Sequence, residues 1–288
     1  MDARVKTINA KAQSRQGTCM TSVYLLTSGG KRGQVHFFSS LLKKKDLSPF
    51  SWSSVLVAII CSLVLCRLGE AYPEEKKPSL LLITIDTLRA DHLSCYGSRE
   101  VETPHLDRLA REGVLFTRAR ASVPLTLPSH ASILTGLHPP AHGVRDNGTF
   151  RLSESIVTLA EVLKSHGYDT AAFVGAFVLD RRFGLAQGFD VYDDNIGNDV
   201  RTMESLGAER KAETVYAAFN DWLRAYDGRK PFFSWVHFFD PHAPYEPPAP
   251  YRSRYAANLY AGEIAYVDAV IGKTLEALAS RERLDETV

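Results

Sequence analysis

Three stretches of the 288-residue chain carry side chains whose types and order could do chemistry. The first is Ile83-Thr84-Ile85-Asp86-Thr87, where an apolar run ends in a carboxylate. In open α/β sheets ligands bind beyond the carboxyl ends of strands, so Asp86 is placed to hold a cation; capping a turn is the other use of such an Asp. Thr87 and Asp91 are less specific, and Asp91 is within reach of Arg89. The second is Pro124-Leu-Thr126-Leu-Pro128-Ser129-His130, a loop running into a helix with Pro128 in its first turn, where a missing N–H costs nothing. A hydroxyl at that entrance can cap the helix. The same place suits an anion, because free N–H groups and the helix dipole point at it. A hydroxyl bound to a metal loses its proton more readily and becomes a nucleophile. Thr126 is the first candidate for that role and Ser129 the second. The third is Trp235-Val-His237-Phe-Phe-Asp240-Pro-His242-Ala-Pro-Tyr245. His237, Asp240 and His242 are plausible ligands or acid/base groups. His237 lies inside an apolar strand and reads as structural; His242, past the strand end between prolines, reads as functional.

The elements that must position these residues alternate. Ser79–Ile85 and Pro231–Phe238 are nearly unbroken apolar runs, as expected of strands buried on both faces of a parallel sheet. Thr170–Val174 and Gly113–Arg118 read as further strands. Helices are expected at Pro104–Glu112, Ser129–Leu134, Ile156–Ser165, Ala212–Tyr226 and Ala261–Ala279, several of them closed by glycine. This alternation predicts an α/β fold with a mostly parallel central sheet. No GxSxG elbow, P-loop or HExxH occurs, and the adjacent Ser129-His130 pair says nothing about a triad.

A net charge of +1 hides an asymmetry: residues 1–50 carry nine basic and two acidic residues, and the remainder is mildly acidic. Nucleic acid is therefore not an expected partner of the body. The basic leader ends in Lys43-Lys44-Lys45, followed by the apolar stretch Val55–Cys66 and the small residues of Gly69-Glu70-Ala71. That layout predicts a signal peptide or membrane anchor over 51–71, with membrane association through 51–68, a linker at 72–78 and a domain from residue 79. The product is then exported, periplasmic or membrane-anchored. A signal this far in also points to a translation start downstream of Met1. Four cysteines, Cys19, Cys61, Cys66 and Cys95, form no CxxC pair, so neither a zinc site nor a disulfide framework is indicated.

Taken together, LLLITIDTLRADHLSCYG, TPHLDRLAREGVLFTRARA, PLTLPSHASILTGLHPPAHGVRDNG, GYDTAAFVGAFVL and WVHFFDPHAPYEPP resemble the sulfatase-like branch of the alkaline phosphatase superfamily, over roughly three quarters of the chain. The resemblance implies an α/β/α sandwich and a divalent-metal-dependent hydrolase (Zn, Mn or Ca) of sulfate or phosphate esters. It implies Asp86 as the first metal-binding aspartate, Thr126 as nucleophile and metal contact, and His242 as the histidine that binds the transferred group or protonates the leaving oxygen. His130, at the position of the family's Arg, and Asp240 are further candidates for contacting substrate.

Departures from the family pattern shape the expectations. Typical sulfatases carry a Cys or Ser that becomes formylglycine, which Thr126 cannot; threonine is the nucleophile of phosphodiesterase, phosphonate-hydrolase and phosphoethanolamine-transferase relatives. Thr87 replaces the second Asp of an Asp-Asp pair. The family's GKWH segment has no counterpart around Val174-Gly175-Ala176. No Asp-His-Gly segment occurs, and the chain stops at Arg283–Val288, which reads as the run-up to the strand carrying it. The domain is thus expected to be partial. A truncated, non-catalytic product and a membrane-anchored phosphoethanolamine-type transferase stand as rival expectations.

Overall fold

Seven consecutive buried residues, Phe232–Phe238, form the strand around which the rest is arranged. In the computed structural model, which describes residues 77–196, 209–281 and 283–288, this is β4, the last of four strands with β1 (Leu80–Ile85), β2 (Asp169–Val174) and β3 (Val191–Asp193). The sheet order is β1-β4-β2-β3 and every pairing is parallel. A parallel neighbour on each side and helices on both faces explain why β4 is apolar at odd and even positions alike.

The helices are α1 (Pro104–Glu112), α2 (Thr126–Thr135), α3 (Pro139–His142), α4 (Leu159–Ser165), α5 (Ala212–Ala225), α6 (Tyr251–Arg254) and α7 (Leu259–Ala279). Alternate strand residues feed two cores. Ala172, Val174, Phe233 and Trp235 pack with Leu127, Ala131 and Ala160 of α2 and α4. Ala171, Phe173, Phe232, Val236 and Phe238 pack with α5 and α7 on the other face. The result is the expected α/β/α sandwich.

Helix starts follow local chemistry. Thr158 and Glu161 form a reciprocal capping box, so α4 starts at Leu159 rather than Ile156. The first N–H groups of α1 are capped from α7, by the Asp268 carboxylate on Leu106 N (2.8 Å) and His105 N (3.2 Å). The segment Gly113–Arg118, expected as a strand, is instead an irregular loop with Val114 and Phe116 64% and 69% exposed. An apolar run becomes a strand only with an edge to pair with, and none of the described strands pairs with it. Thr287 pairs in parallel with Ser79 at the start of β1. No helix among the described residues is long and apolar enough to cross a membrane. The leader, the signal or anchor segment and most of the linker lie outside the described residues.

One buried carboxyl in the outer layer has a measurable signature. Glu263 of α7 is fully buried and accepts a bond from Glu246 N (2.8 Å), while Lys211, Asp240 and Glu209 surround it. Burial pushes its carboxyl up from 4.5 to about 7. Below pH 4.5 both folded and unfolded chains hold the proton. As pH rises the unfolded chain ionises first, so stability falls until the folded-state carboxyl has titrated. Relative to Glu263→Gln, the wild type should lose on the order of 3 kcal/mol between about pH 4.5 and about pH 8, where the folded-state carboxyl has titrated, and nothing further above that. Denaturant melts at several pH values check this; a pH-independent difference would contradict it.

Candidate active site

The parallel register sets Thr84 of β1 beside His237 of β4, and Ile85 beside Phe238. Asp86 extends this pairing by one bond, Asp86 N to Phe238 O at 2.9 Å. Both strands therefore end at one level, and the loops that follow them carry Asp86 and His242 to the same edge. The Thr126 end of α2 arrives there from one face of the sheet. A cavity of about 550 Å³ opens at this edge, lined among others by Asp86, Thr87, Thr126, His130, Asn147 and His242.

Thr126 is the first residue of α2, and its hydroxyl donates to Asp86 Oδ2 at 2.9 Å. The helix thus starts three residues earlier than expected, and Ser129 lies inside it, its N–H bonded to Leu125 O. Leu125 at the cap has no side-chain bond to offer. Asn147 serves instead, accepting from Leu127 N at 2.9 Å. Gly136 closes the helix at φ +69°, a left-handed backbone that glycine adopts freely. Burial works to raise the Asp86 carboxyl, but His237 and the Thr126 hydroxyl outweigh it and hold the group below its ordinary value. It is therefore a carboxylate at neutral pH.

His130 is buried, and both its nitrogens are used inside the protein. Nδ1 lies 2.7 Å from Thr126 O, a pure acceptor, so Nδ1 carries the proton. Nε2 then accepts from Thr84 Oγ1 at 3.1 Å, and that hydroxyl in turn accepts from Trp235 Nε1 at 3.0 Å. Burial, with His237 next to it, drives the His130 ring down to about 3, so it is neutral. The chain Trp235–Thr84–His130–Thr126 is a closed donor-to-acceptor series that fixes the first turn of α2.

His237, read from the sequence as structural, also belongs to the site. Its ring is fully buried, edge-on to His130 at 4.8 Å, with Nε2 3.8 Å from Asp86 Oδ2. His242 is half-buried, stacked on Phe239 at 4.2 Å, with Nδ1–H directed to Ala243 O at 2.7 Å. That leaves Nε2 as its proton-exchanging nitrogen. Asp240 lies deeper: its Oδ2 accepts from Ala212 N at 2.9 Å, at the start of α5, and Oδ1 sits 3.4 Å from Lys211 Nζ. It does not line the cavity. Thr87 holds a left-handed backbone (φ 51°), costly for a β-branched residue, and its hydroxyl donates to Pro241 O while its carbonyl accepts from Tyr260 OH. It ties the loop after Asp86 to the loop carrying His242. Asp91 pairs with Arg89 at the surface.

Asp86 and Thr126 present an anionic and a hydroxyl oxygen side by side, a donor set that suits a hard divalent ion. Among the described residues no group of three or more His, Cys, Asp or Glu side chains is arranged to hold a metal. The two oxygens therefore fit such an ion as part of its shell, fewer than the three protein ligands of a catalytic zinc.

The profile of the family described as Sulfatase matches residues 78–288. Steryl-sulfatase of Mus musculus is 40% identical over 129 residues, covering 41% of this chain and 21% of that enzyme. The phosphonate monoester hydrolase of Agrobacterium radiobacter superposes with a TM-score of 0.60 at 23% identity, covering 73% of this chain and 61% of that one, a likeness of fold. A Vibrio parahaemolyticus protein of the alkaline phosphatase superfamily superposes with a TM-score of 0.59 at 27% identity, covering 74% and 53%. The chain spans less than two thirds of the length of each of these relatives.

Proposed function

Because the chain belongs to the sulfatase family, we propose that its site hydrolyses sulfate or phosphate esters with Thr126 as nucleophile. The observation that carries this reading is the 2.9 Å bond from the Thr126 hydroxyl to the Asp86 carboxylate at the wall of the cavity. With its hydrogen on Asp86, Thr126 Oγ turns a lone pair toward the open side.

In the first step Thr126 Oγ bonds to sulfur or phosphorus, its proton passing along the existing bond to Asp86 Oδ2, as the bond to the leaving ester oxygen breaks. His242, on the wall of the same cavity, delivers a proton to that oxygen through Nε2. In the second step water gives one proton back to His242 Nε2 as its oxygen bonds to sulfur or phosphorus and the bond to Thr126 Oγ breaks, and the proton held on Asp86 returns to restore the hydroxyl. A divalent ion held by Asp86 and Thr126 would stabilise the developing charge and ease loss of the hydroxyl proton. His130 acts by positioning: a neutral ring with both nitrogens engaged holds the helix start without bringing a charge to the site. Asp240 likewise acts from behind, through the start of α5. Paired assays with aryl sulfates and aryl phosphodiesters, in excess zinc or manganese, test the reading and rank the two ester classes. Asp86→Asn should reduce turnover of whichever is preferred by about 10²-fold or more, an effect of the size seen when one charge-stabilising group is lost. Unchanged turnover would remove Asp86 from the site.

A second reading, a chain that does not turn over, is favoured by the two-oxygen donor set. It predicts melting curves that do not respond to zinc or manganese. Stoichiometric binding with a clear rise in melting temperature overturns it. We also place the protein outside the cytoplasm, on the pattern running from Lys43 to Ala71. Removing residues 1–71 should abolish export, and loss of export without loss of folding is the supporting result.

A further inference from the structure

Among the buried polar atoms of the described residues without a hydrogen-bond partner, one faces the site: His237 Nε2. It lies 3.8 Å from Asp86 Oδ2, the oxygen that also accepts from Thr126. The other nitrogen decides what Nε2 can do. Gly175 sits against the end of β4 so closely that a Cβ would fall 3.1 Å from His237 O and 3.2 Å from Phe239 N. That approach aims Gly175 N–H at His237 O (3.1 Å), with Nδ1 beside it at 3.4 Å. A backbone N–H facing Nδ1 requires a lone pair there. In a neutral ring the proton is then on Nε2, pointed at the Asp86 carboxylate.

We propose that His237 is a positioning residue for Asp86: its Nε2–H donates toward Oδ2 and turns the other carboxylate oxygen to the cavity, and His237 itself does not bind the cation. A protonated nitrogen has no lone pair for a metal, so the orphaned atom is a donor waiting on its acceptor rather than a missing ligand. His130 and His237, edge to face at 4.8 Å, then carry opposite tautomers, Nδ1–H for the helix and Nε2–H for the carboxylate. Ligand-orienting partners of this kind change metal affinity by about 10–100-fold when removed. The inference rests on reading Asp86 as the cation-holding carboxylate.

The test is a two-bond ¹H–¹⁵N correlation spectrum of the full chain labelled at histidine, with and without zinc, His237 being assigned from a His237→Gln sample. The expected pattern is a protonated Nε2 and unprotonated Nδ1 for His237, unchanged by zinc, with His130 showing the reverse. An Nδ1–H tautomer, a ring protonated at both nitrogens, or an Nε2 resonance displaced to a metal-bound position overturns the proposal. Zinc titration calorimetry supplies a second readout. His237→Phe should weaken binding about 10–100-fold, while His237→Gln, whose amide can present an N–H at the same reach, should bind within a few-fold of wild type. Wild-type affinity in His237→Phe overturns the proposal. Neither measurement requires turnover. Zinc binding that survives Asp86→Asn instead overturns the reading of Asp86 on which the inference rests.

Discussion

Thr126→Ala should lower kcat for the preferred aryl ester by about 10³-fold or more while leaving the melting temperature within a few degrees of wild type; residual catalysis reflects binding and charge stabilisation alone. The size of the effect follows from what alanine removes. In the proposed mechanism the hydroxyl is the attacking atom, and its hydrogen is the one that meets Asp86 Oδ2 at 2.9 Å. The modest effect on stability follows from what alanine leaves. Thr126 is half-buried at the first position of α2, where alanine is a good helix former. The cap from Asn147 to Leu127 N and the His130 bond to the backbone carbonyl at position 126 do not use the side chain. Thr126→Ser keeps an attacking hydroxyl in the same place and should retain most of the rate. Steady-state kinetics of the three proteins check this, and undiminished turnover in the alanine variant would take Thr126 out of the mechanism.

Trp235→Ala should be among the most destabilising single substitutions in the domain, costing about 3–5 kcal/mol. The indole is fully buried in the centre of β4, packed near Phe189, Tyr192 and His130. Its Nε1–H is also the first donor of the series that runs through Thr84 to His130 and Thr126. Truncation therefore opens a cavity and leaves Thr84 without that donor. Trp235→Phe separates the two effects. It refills much of the volume but removes the N–H, so it should cost about 1–2 kcal/mol. Denaturant melts with constant m-values measure both. Equal losses in the two variants would show that the hydrogen bond, not packing, dominates at this position.

How much of this could be read in advance depended on whether a residue's role was local. The apolar runs ending at Ile85 and Phe238 read as parallel strands with Asp86 and His242 beyond their ends, but only the second is interior: β1 is the end strand of the described sheet and its residues are half-buried. Pro128 marks Thr126 as standing at a helix entrance, but the expected start at Ser129 is three residues late. Four features were not legible. The strand Val191–Asp193 is three residues long and contains an Asp, too short for an alternation to show. Gly113–Arg118 has a strand's composition but no edge to pair with among the described strands. His237 reads as a core histidine because it lies within β4, and it is fully buried there; its nearness to Asp86 appears only in the register that sets it against Thr84, one strand over from Asp86. That signal is present in ITID and VHFFD, two apolar runs each reaching an aspartate, but it requires knowing that β1 and β4 are neighbours. Asn147 was hidden for the same reason, because it caps α2 from a loop 20 residues away.

The central claim, that Asp86 and Thr126 form a reactive pair, is tested most directly by trapping the ester on the enzyme. The full chain is incubated with an aryl sulfate or aryl phosphodiester in excess zinc or manganese, quenched in acid and digested, and the peptide containing Thr126 is sequenced by mass spectrometry. The account predicts one added sulfuryl or phosphoryl group on the Thr126 hydroxyl, absent from Thr126→Ala. Turnover without an adduct, an adduct on another residue, or a chain that carries none under these conditions would contradict it.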